Sequence, residues 1–266
     1  MDYGTFEHVT WEPEPGLTLD GWVLTPPDFD SSVKYPLILD IHGGPHIMWS
    51  PHYDGEWFNW QALSAAGYVV FFANPRGSVG YGDAFQQAIA GRWGDLAYND
   101  IMSGFEQILK RDYIDPERIG IMGGSYGGYM TAWTVAHDHR FKAAIAERGV
   151  YNLVSFTGTT DIPSFIPNEF GVELTQDPDF LWKHSPIAHA HKIQTPLLII
   201  HSENDFRVAI SEAEQLFALV RRNQQPVEFV RYPREGHELS RAGEPEHRID
   251  RLDRIVAWFD KYVKST

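Results

Sequence analysis

Residues 119–130 read Ile119-Gly120-Ile121-Met122-Gly123-Gly124-Ser125-Tyr126-Gly127-Gly128-Tyr129-Met130. A short apolar run enters four glycines set around one serine, and Tyr129 to Ala136 then offers a helix. Strand, tight glycine turn and helix in that order form the context of a nucleophile elbow, in which a serine sits on a strained turn with its hydroxyl held above a sheet edge. The flanking glycines are needed because side chains there would collide with neighbouring backbone. A bare Gly-x-Ser-x-Gly turns up by chance in roughly one chain of this composition in ten, so the weight lies on the strand and helix around it.

Working outward, short β-branched or apolar runs alternate with longer stretches at helical spacing. Strands are expected at Leu19 to Leu24, Pro36 to His42, Tyr68 to Ala73, Ile119 to Met122, Ala143 to Glu147, Pro196 to His201 and Val227 to Tyr232. Ile101, Phe105, Ile108 and Leu109 form one amphipathic stripe and Ala213, Leu216, Phe217 and Val220 another; Leu252, Ile255, Val256, Phe259, Tyr262 and Val263 form a third. The alternation predicts an α/β fold with a mostly parallel sheet flanked by helices, and strands apolar on both faces fit a sheet covered on both sides. Tyr151 to Ile193 breaks the pattern, with many aromatics and Pro163, Pro167, Pro178 and Pro186. Residues 151–193 are therefore expected to be an insertion forming a lid or pocket wall.

The 266 residues are 43% hydrophobic and 22% charged with no cysteine, which excludes disordered, fibrous and disulfide-stapled classes. No linker is visible, and α/β folds of roughly 250 residues often form one unit, so residues 1–266 are expected to be a single domain. Against 36 acidic residues stand 22 basic ones. A polyanion partner requires clustered Lys and Arg, so nucleic acid is not an expected partner. No apolar run approaches the roughly 20 residues that span a bilayer, so no membrane contact is expected. The N-terminus lacks the basic and apolar regions of a signal peptide, which makes the cytoplasm the expected compartment.

A serine at its ordinary pKa is a poor nucleophile, so a histidine must take its proton and an acid must orient that histidine. Hydrolases with this elbow carry the three in the chain order Ser, acid, His. Downstream of Ser125, the strand ending at His201 runs into Ser202-Glu203-Asn204-Asp205, and the strand Val227 to Tyr232 is followed by Pro233-Arg234-Glu235-Gly236-His237-Glu238. Asp205, deeper in its loop, is preferred to Glu203, and His237 is the histidine with the required strand-loop address. His137-x-His139 and His189-x-His191 suggest metal ligation, but no His-Glu-x-x-His pattern or cysteine accompanies them, so neither metal nor cofactor is expected. A tetrahedral oxyanion needs two donors: the backbone N–H of Tyr126, following the nucleophile, and one from the His42-Gly43-Gly44-Pro45 loop after an early strand.

With these residues in hand, the sequence resembles the prolyl oligopeptidase family of serine peptidases, in its acylaminoacyl-peptidase-like branch. The resemblance runs from about Gly21 onward. It is carried by His42-Gly43-Gly44-Pro45-His46, Asn74-Pro75-Arg76-Gly77-Ser78 with Gly80-Tyr81-Gly82, the elbow, His201-Ser202-Glu203-Asn204-Asp205, and Gly236-His237-Glu238. It implies an α/β-hydrolase fold with Ser125 as nucleophile, Asp205 as orienting acid, His237 as base, and the N–H groups of Gly44 and Tyr126 as oxyanion donors. It also implies cleavage of amide or ester bonds of small acylated amino acids or short peptides through an acyl-enzyme. The alternatives are a carboxylesterase with little peptidase activity and an inactive hydrolase-fold binding module. Members usually carry an N-terminal β-propeller that covers the site and filters substrates; none is read in these residues, so exopeptidase specificity does not carry over. The surface it would cover is expected to be hidden by self-association, giving a homo-oligomer. Arg148, ending a strand at the catalytic edge, is a candidate to hydrogen-bond a substrate carbonyl, with a salt bridge to a loop acid as the competing role. Phe156, Phe165, Phe170 and Trp182 are candidates to line an apolar substrate pocket. Arg207 is expected to brace the Asp205 loop.

Overall fold

A computed structural model describes residues 3–53 and 55–264. Eight strands form one sheet: β1 (Thr5–Glu14), β2 (Leu17–Thr25), β3 (Tyr35–Ile41), β4 (Val69–Asn74), β5 (Ile114–Gly124), β6 (Ala143–Glu147), β7 (Leu197–Ser202) and β8 (Val227–Tyr232). Their order is β1-β2-β4-β3-β5-β6-β7-β8; β1 and β2 pair antiparallel, β2 pairs antiparallel with β4, and every other pairing is parallel. The helices are α1 (Trp57–Ala65), α2 (Asp83–Gln87), α3 (Tyr98–Leu109), α4 (Tyr126–Val135), α5 (Leu153–Thr159), α6 (Phe165–Phe170), α7 (Pro178–Lys183), α8 (Ser211–Arg222), α9 (Leu239–Ala242) and α10 (Pro245–Phe259). None is long and apolar enough to cross a membrane.

Strand alternation sorts the buried residues into two cores. Leu37, Leu39, Ile41, Val69, Phe71, Ile119, Ile121, Ala144, Leu197 and Ile199 pack with the apolar stripes of α3, α4 and α8. Their neighbours Ile38, Val70, Phe72, Met122, Ile145, Leu198 and Ile200 pack with Trp60 and Leu63 of α1 and with Ile255, Trp258 and Phe259 of α10. Two-sided burial explains why these strands read as continuous apolar runs.

Strand β1 was not among the expected strands. It is an edge strand, largely solvent-exposed, and polar residues interrupt its apolar pattern, as suits a strand with one unpaired side. Residues 151–193 hold no strand; they fold into α5, α6, α7 and a 3₁₀ turn at Pro186–Lys192. The first turn is fixed from two sides. Asn152 caps α5, and the Glu212 carboxylate of α8 accepts the N–H groups of Tyr151 (2.9 Å) and Asn152 (2.6 Å) and the Ser155 hydroxyl (2.5 Å). Burial pushes the Glu212 carboxyl up to about 7.

Candidate active site

Ser125 stands between β5 and α4 with φ 60° and ψ −119°, a positive φ that a serine adopts only under constraint from its surroundings. The constraint is backbone on both sides. A Cβ on Gly127 would stand 2.0 Å from the Ile41 carbonyl oxygen, and one on Gly123 would stand 2.7 Å from both the Ile41 and Gly127 carbonyl oxygens. Only glycine lets α4 approach β3 and β5 so closely. The Ser125 N–H donates to the Glu147 carbonyl at 2.9 Å, tying the turn to β6.

Loops after β7 and β8 bring two further groups to this serine. His237 Nε2 lies 3.0 Å from Ser125 Oγ, and His237 Nδ1 lies 2.7 Å from Asp205 Oδ2. With Nδ1–H donated to the carboxylate, Nε2 carries the lone pair that receives the serine hydroxyl. Asp205 Oδ1 accepts the N–H groups of Arg207 (3.0 Å) and Val208 (2.8 Å), so both carboxylate oxygens are occupied in a 3% exposed position. Burial holds the His237 pKa below that of an ordinary histidine, with Asp205 opposing the shift. His201 also touches this acid. Its Nε2–H donates to the Val208 carbonyl at 2.8 Å, and burial lowers its pKa to about 4, keeping it neutral 3.5 Å from Asp205. Glu203, the other acid of the loop, faces Arg231 at 3.4 Å.

The loop after β3 lies directly over the nucleophile: a Cβ on Gly43 would meet Ser125 Cβ at 3.5 Å. Gly44 follows at φ 110°, and Tyr126 opens α4, where a first-turn N–H has no partner within its helix. The loop is braced from the Asn74–Gly82 segment. The His42 ring bridges the Gly43 carbonyl (2.7 Å) and the Ser78 hydroxyl (2.9 Å), and His46 donates to the Gly77 carbonyl (2.7 Å) and to Glu169 (2.8 Å). Arg76 forks onto Asp100 and holds that segment to α3. The motifs that seemed separate in sequence thus form one bracket around the site.

Ser125 opens into a cavity of about 390 Å³ that straddles the sheet edge. One half lies on the α4 and α8 side and is apolar: Trp93, Val150, Phe156, Ile162 and Phe165 line it beside Tyr126. The other half lies toward α1 and α10 and is ionic: Asp40, Glu56, Glu147, Arg148, Arg241 and Arg251 line it, with Trp49, Tyr53 and Met122. Of the four aromatics expected in the pocket, Phe156 and Phe165 line it. Phe170 and Trp182 do not: Phe170 is buried behind the wall against Trp93 (4.9 Å between ring centres), and Trp182 points outward, 45% exposed. Arg207 also lines the cavity and pairs with Asp161 at 2.6 Å.

Arg148 lines the ionic half as expected, whereas Trp93 and the other acids and arginines there were not expected from sequence. They arrive from segments far apart in the chain, and nothing local marks them. Their arrangement is dense. Arg251 of α10 forks onto Glu147 at 2.5 and 2.6 Å and donates to Asn59 at 2.9 Å, all three groups being buried. Asp40 accepts the Trp60 indole N–H at 2.9 Å, and burial pushes its carboxyl well above the usual carboxylate range. Arg148, at φ 39°, turns its guanidinium against Gly124, where a Cβ would meet Cζ at 2.8 Å, and stands 3.6 Å from Glu56 and 3.9 Å from Glu147. Among the described residues, one group holds three metal-type ligands, Glu235, Glu244 and His247. Glu235 already accepts the Glu244 N–H and a His247 N–H there, so the group serves as a brace behind the His237 turn.

Residues 53–266 match the model of the prolyl oligopeptidase family. The chain is 42% identical over 259 residues to the uncharacterized peptidase YuxL of Bacillus subtilis, covering 97% of this chain and 39% of that one. It is 32% identical over 249 residues to dipeptidyl-peptidase 5 of Porphyromonas gingivalis, covering 92% of this chain and 36% of the relative. Among solved structures, the acylaminoacyl peptidase of Pyrococcus horikoshii superposes with a TM-score of 0.92 at 29% identity, over 99% of this chain and 42% of that one. The chain therefore spans about two fifths of the length of these relatives.

Proposed function

The chain belongs to the prolyl oligopeptidase family of serine peptidases, and from that premise we propose that it hydrolyses amide or ester bonds of small acylated amino acids or short peptides through an acyl-enzyme on Ser125. The observation that carries this reading is the continuous chain of contacts from Ser125 through His237 to Asp205, at 3.0 and 2.7 Å, opening on a cavity of about 390 Å³.

In this reading Ser125 Oγ attacks the substrate carbonyl carbon as His237 Nε2 takes its proton. Asp205, held on its far oxygen by two backbone N–H groups, keeps the Nδ1–H tautomer and stabilises the imidazolium that forms. The oxyanion takes hydrogen bonds from the N–H groups of Gly44 and Tyr126. His237 then gives its proton to the leaving nitrogen or oxygen. Water, deprotonated by the same histidine, attacks the acyl-enzyme and releases the acid. The apolar half, with Phe156, Phe165 and Trp93, suits an apolar side chain on the acyl side, and Arg148 lies within the substrate cavity. No step requires a cofactor.

The test compares kcat/KM for an N-acetyl-aminoacyl anilide with that for a short-chain nitrophenyl ester, with Ser125→Ala as the blank. Turnover of both, lost in Ser125→Ala along with fluorophosphonate labelling, supports the reading. Ester turnover without anilide turnover would restrict the chain to esterase chemistry. Activity that survives in Ser125→Ala would refute the assignment.

A further inference from the structure

Arg148 is a buried charge whose donors are incompletely used among the described residues. Its side chain is 8% exposed, yet its two acid neighbours stand at 3.6 and 3.9 Å, beyond hydrogen-bond distance, and its Nε has no partner among the described residues. A buried guanidinium presents five N–H donors in a planar fork, and leaving them unmade carries a desolvation cost. Arg251, a few ångströms away in the same cavity, shows the contrast: its fork is filled by Glu147 and Asn59. The surrounding charges do not cancel Arg148 either. Glu147 is occupied by Arg251 and Glu238 by Arg241. Glu56 already accepts a hydrogen bond from the Asn59 side chain, and Asp40 from the Trp60 indole. The ionic half thus holds an incompletely used guanidinium fork beside the nucleophile.

We propose that the ionic half is a leaving-group subsite in which Arg148 receives the free α-carboxylate of a substrate's C-terminal residue, so that the chain favours substrates with a single residue after the scissile bond. The inference rests on the serine-hydrolase reading above and names the substrate class of that site. Three features set the assignment. A carboxylate is the planar acceptor that matches the guanidinium fork. The guanidinium lies against Gly124, one residue and about 3.8 Å of backbone before Ser125, so its reach matches one substrate residue rather than several. The ionic half also continues into Glu238 and Arg241, which follow His237 in the chain, so it lies on the side where the leaving group collects its proton.

The probe pair is N-acetyl-Phe-Ala with a free carboxylate and the same compound as its C-terminal amide, assayed by release of alanine or alaninamide. In the unaltered protein the acid should exceed the amide in kcat/KM by about tenfold or more. Arg148→Met should bring the ratio close to one, and Arg148→Lys, a charge without the fork, should restore part of it. An acid-to-amide ratio near one in the unaltered protein, or a ratio preserved in Arg148→Met, would overturn the proposal; the first of these needs no variant to fold. Ser125-dependent ester turnover with neither acetyl dipeptide cleaved would overturn it as well. If the nitrophenyl ester is not turned over, or its turnover persists in Ser125→Ala, the serine-hydrolase reading is what fails.

Discussion

Replacing Arg251 with methionine removes the guanidinium that fills Glu147, and the consequence can be worked from the contacts. Arg251 and Glu147 are each 2% exposed and share two charge-assisted hydrogen bonds, with a third to Asn59. Breaking one member of a buried pair costs about 3–5 kcal/mol, because the remaining charge stays buried without compensation. Unfolding entropy near 60 °C is about 2.1 cal/mol/K per residue, or about 0.56 kcal/mol/K for this chain, so Tm should fall by roughly 5–9 °C. The double variant Glu147→Leu with Arg251→Met removes both charges and should be less destabilised than either single change, since apolar replacement of a whole buried pair is often neutral. Thermal unfolding followed by circular dichroism on the four proteins completes a double-mutant cycle. A fall under about 2 °C in Arg251→Met, or additive losses in the double variant, would refute the argument. The effect should extend to chemistry, because the Glu147 carbonyl holds the Ser125 N–H at 2.9 Å; ester kcat should drop in Arg251→Met at temperatures where it remains folded.

Two further outcomes follow from the site. Asp205→Asn keeps an oxygen for the Arg207 and Val208 N–H groups but presents an amide to His237, which favours the wrong tautomer; kcat should fall on the order of 10⁴-fold with little change in Tm, and a loss under tenfold would show that Asp205 does not orient the base. The base must be neutral to act, and burial lowers the His237 pKa, so acylation-limited kcat/KM should rise with pH through a midpoint below 6.5 and be flat above pH 7. An acid limb centred above 7 would contradict this.

What sequence revealed and what it hid follow from distance along the chain. The elbow was legible because its requirements are local: Gly123, Ser125 and Gly127 lie within five residues, and the backbone they must avoid belongs to their own turn and to β3. Strands buried on both faces announced themselves as unbroken apolar runs. Strand β1 did not, because its exposed edge tolerates the polar residues between Phe6, Val9 and Trp11. The insertion's aromatics gave no orientation: Phe165 and Phe170 begin and end one short helix, and only the first reaches the cavity. Apart from Arg148, the ionic half was hidden for a related reason. Arg251 lies on the buried face of α10, at i, i+4 and i+7 with Ile255 and Trp258, and its place among apolar residues has no explanation in the local sequence until β6 supplies Glu147 from 104 residues away.

The same spacing bears on how the protein is made. Ser125 and His237 are 112 residues apart in the chain, and at typical synthesis rates the ribosome needs roughly 6 to 22 s to pass from one to the other. If Ser125 and His237 act as proposed, the serine has no base throughout that interval. Arg251 follows His237 still later, so the charges that seat the elbow are balanced last. On the proposed reading, hydrolytic competence waits until the chain has passed residue 237, and a polypeptide stalled before that point lacks the base.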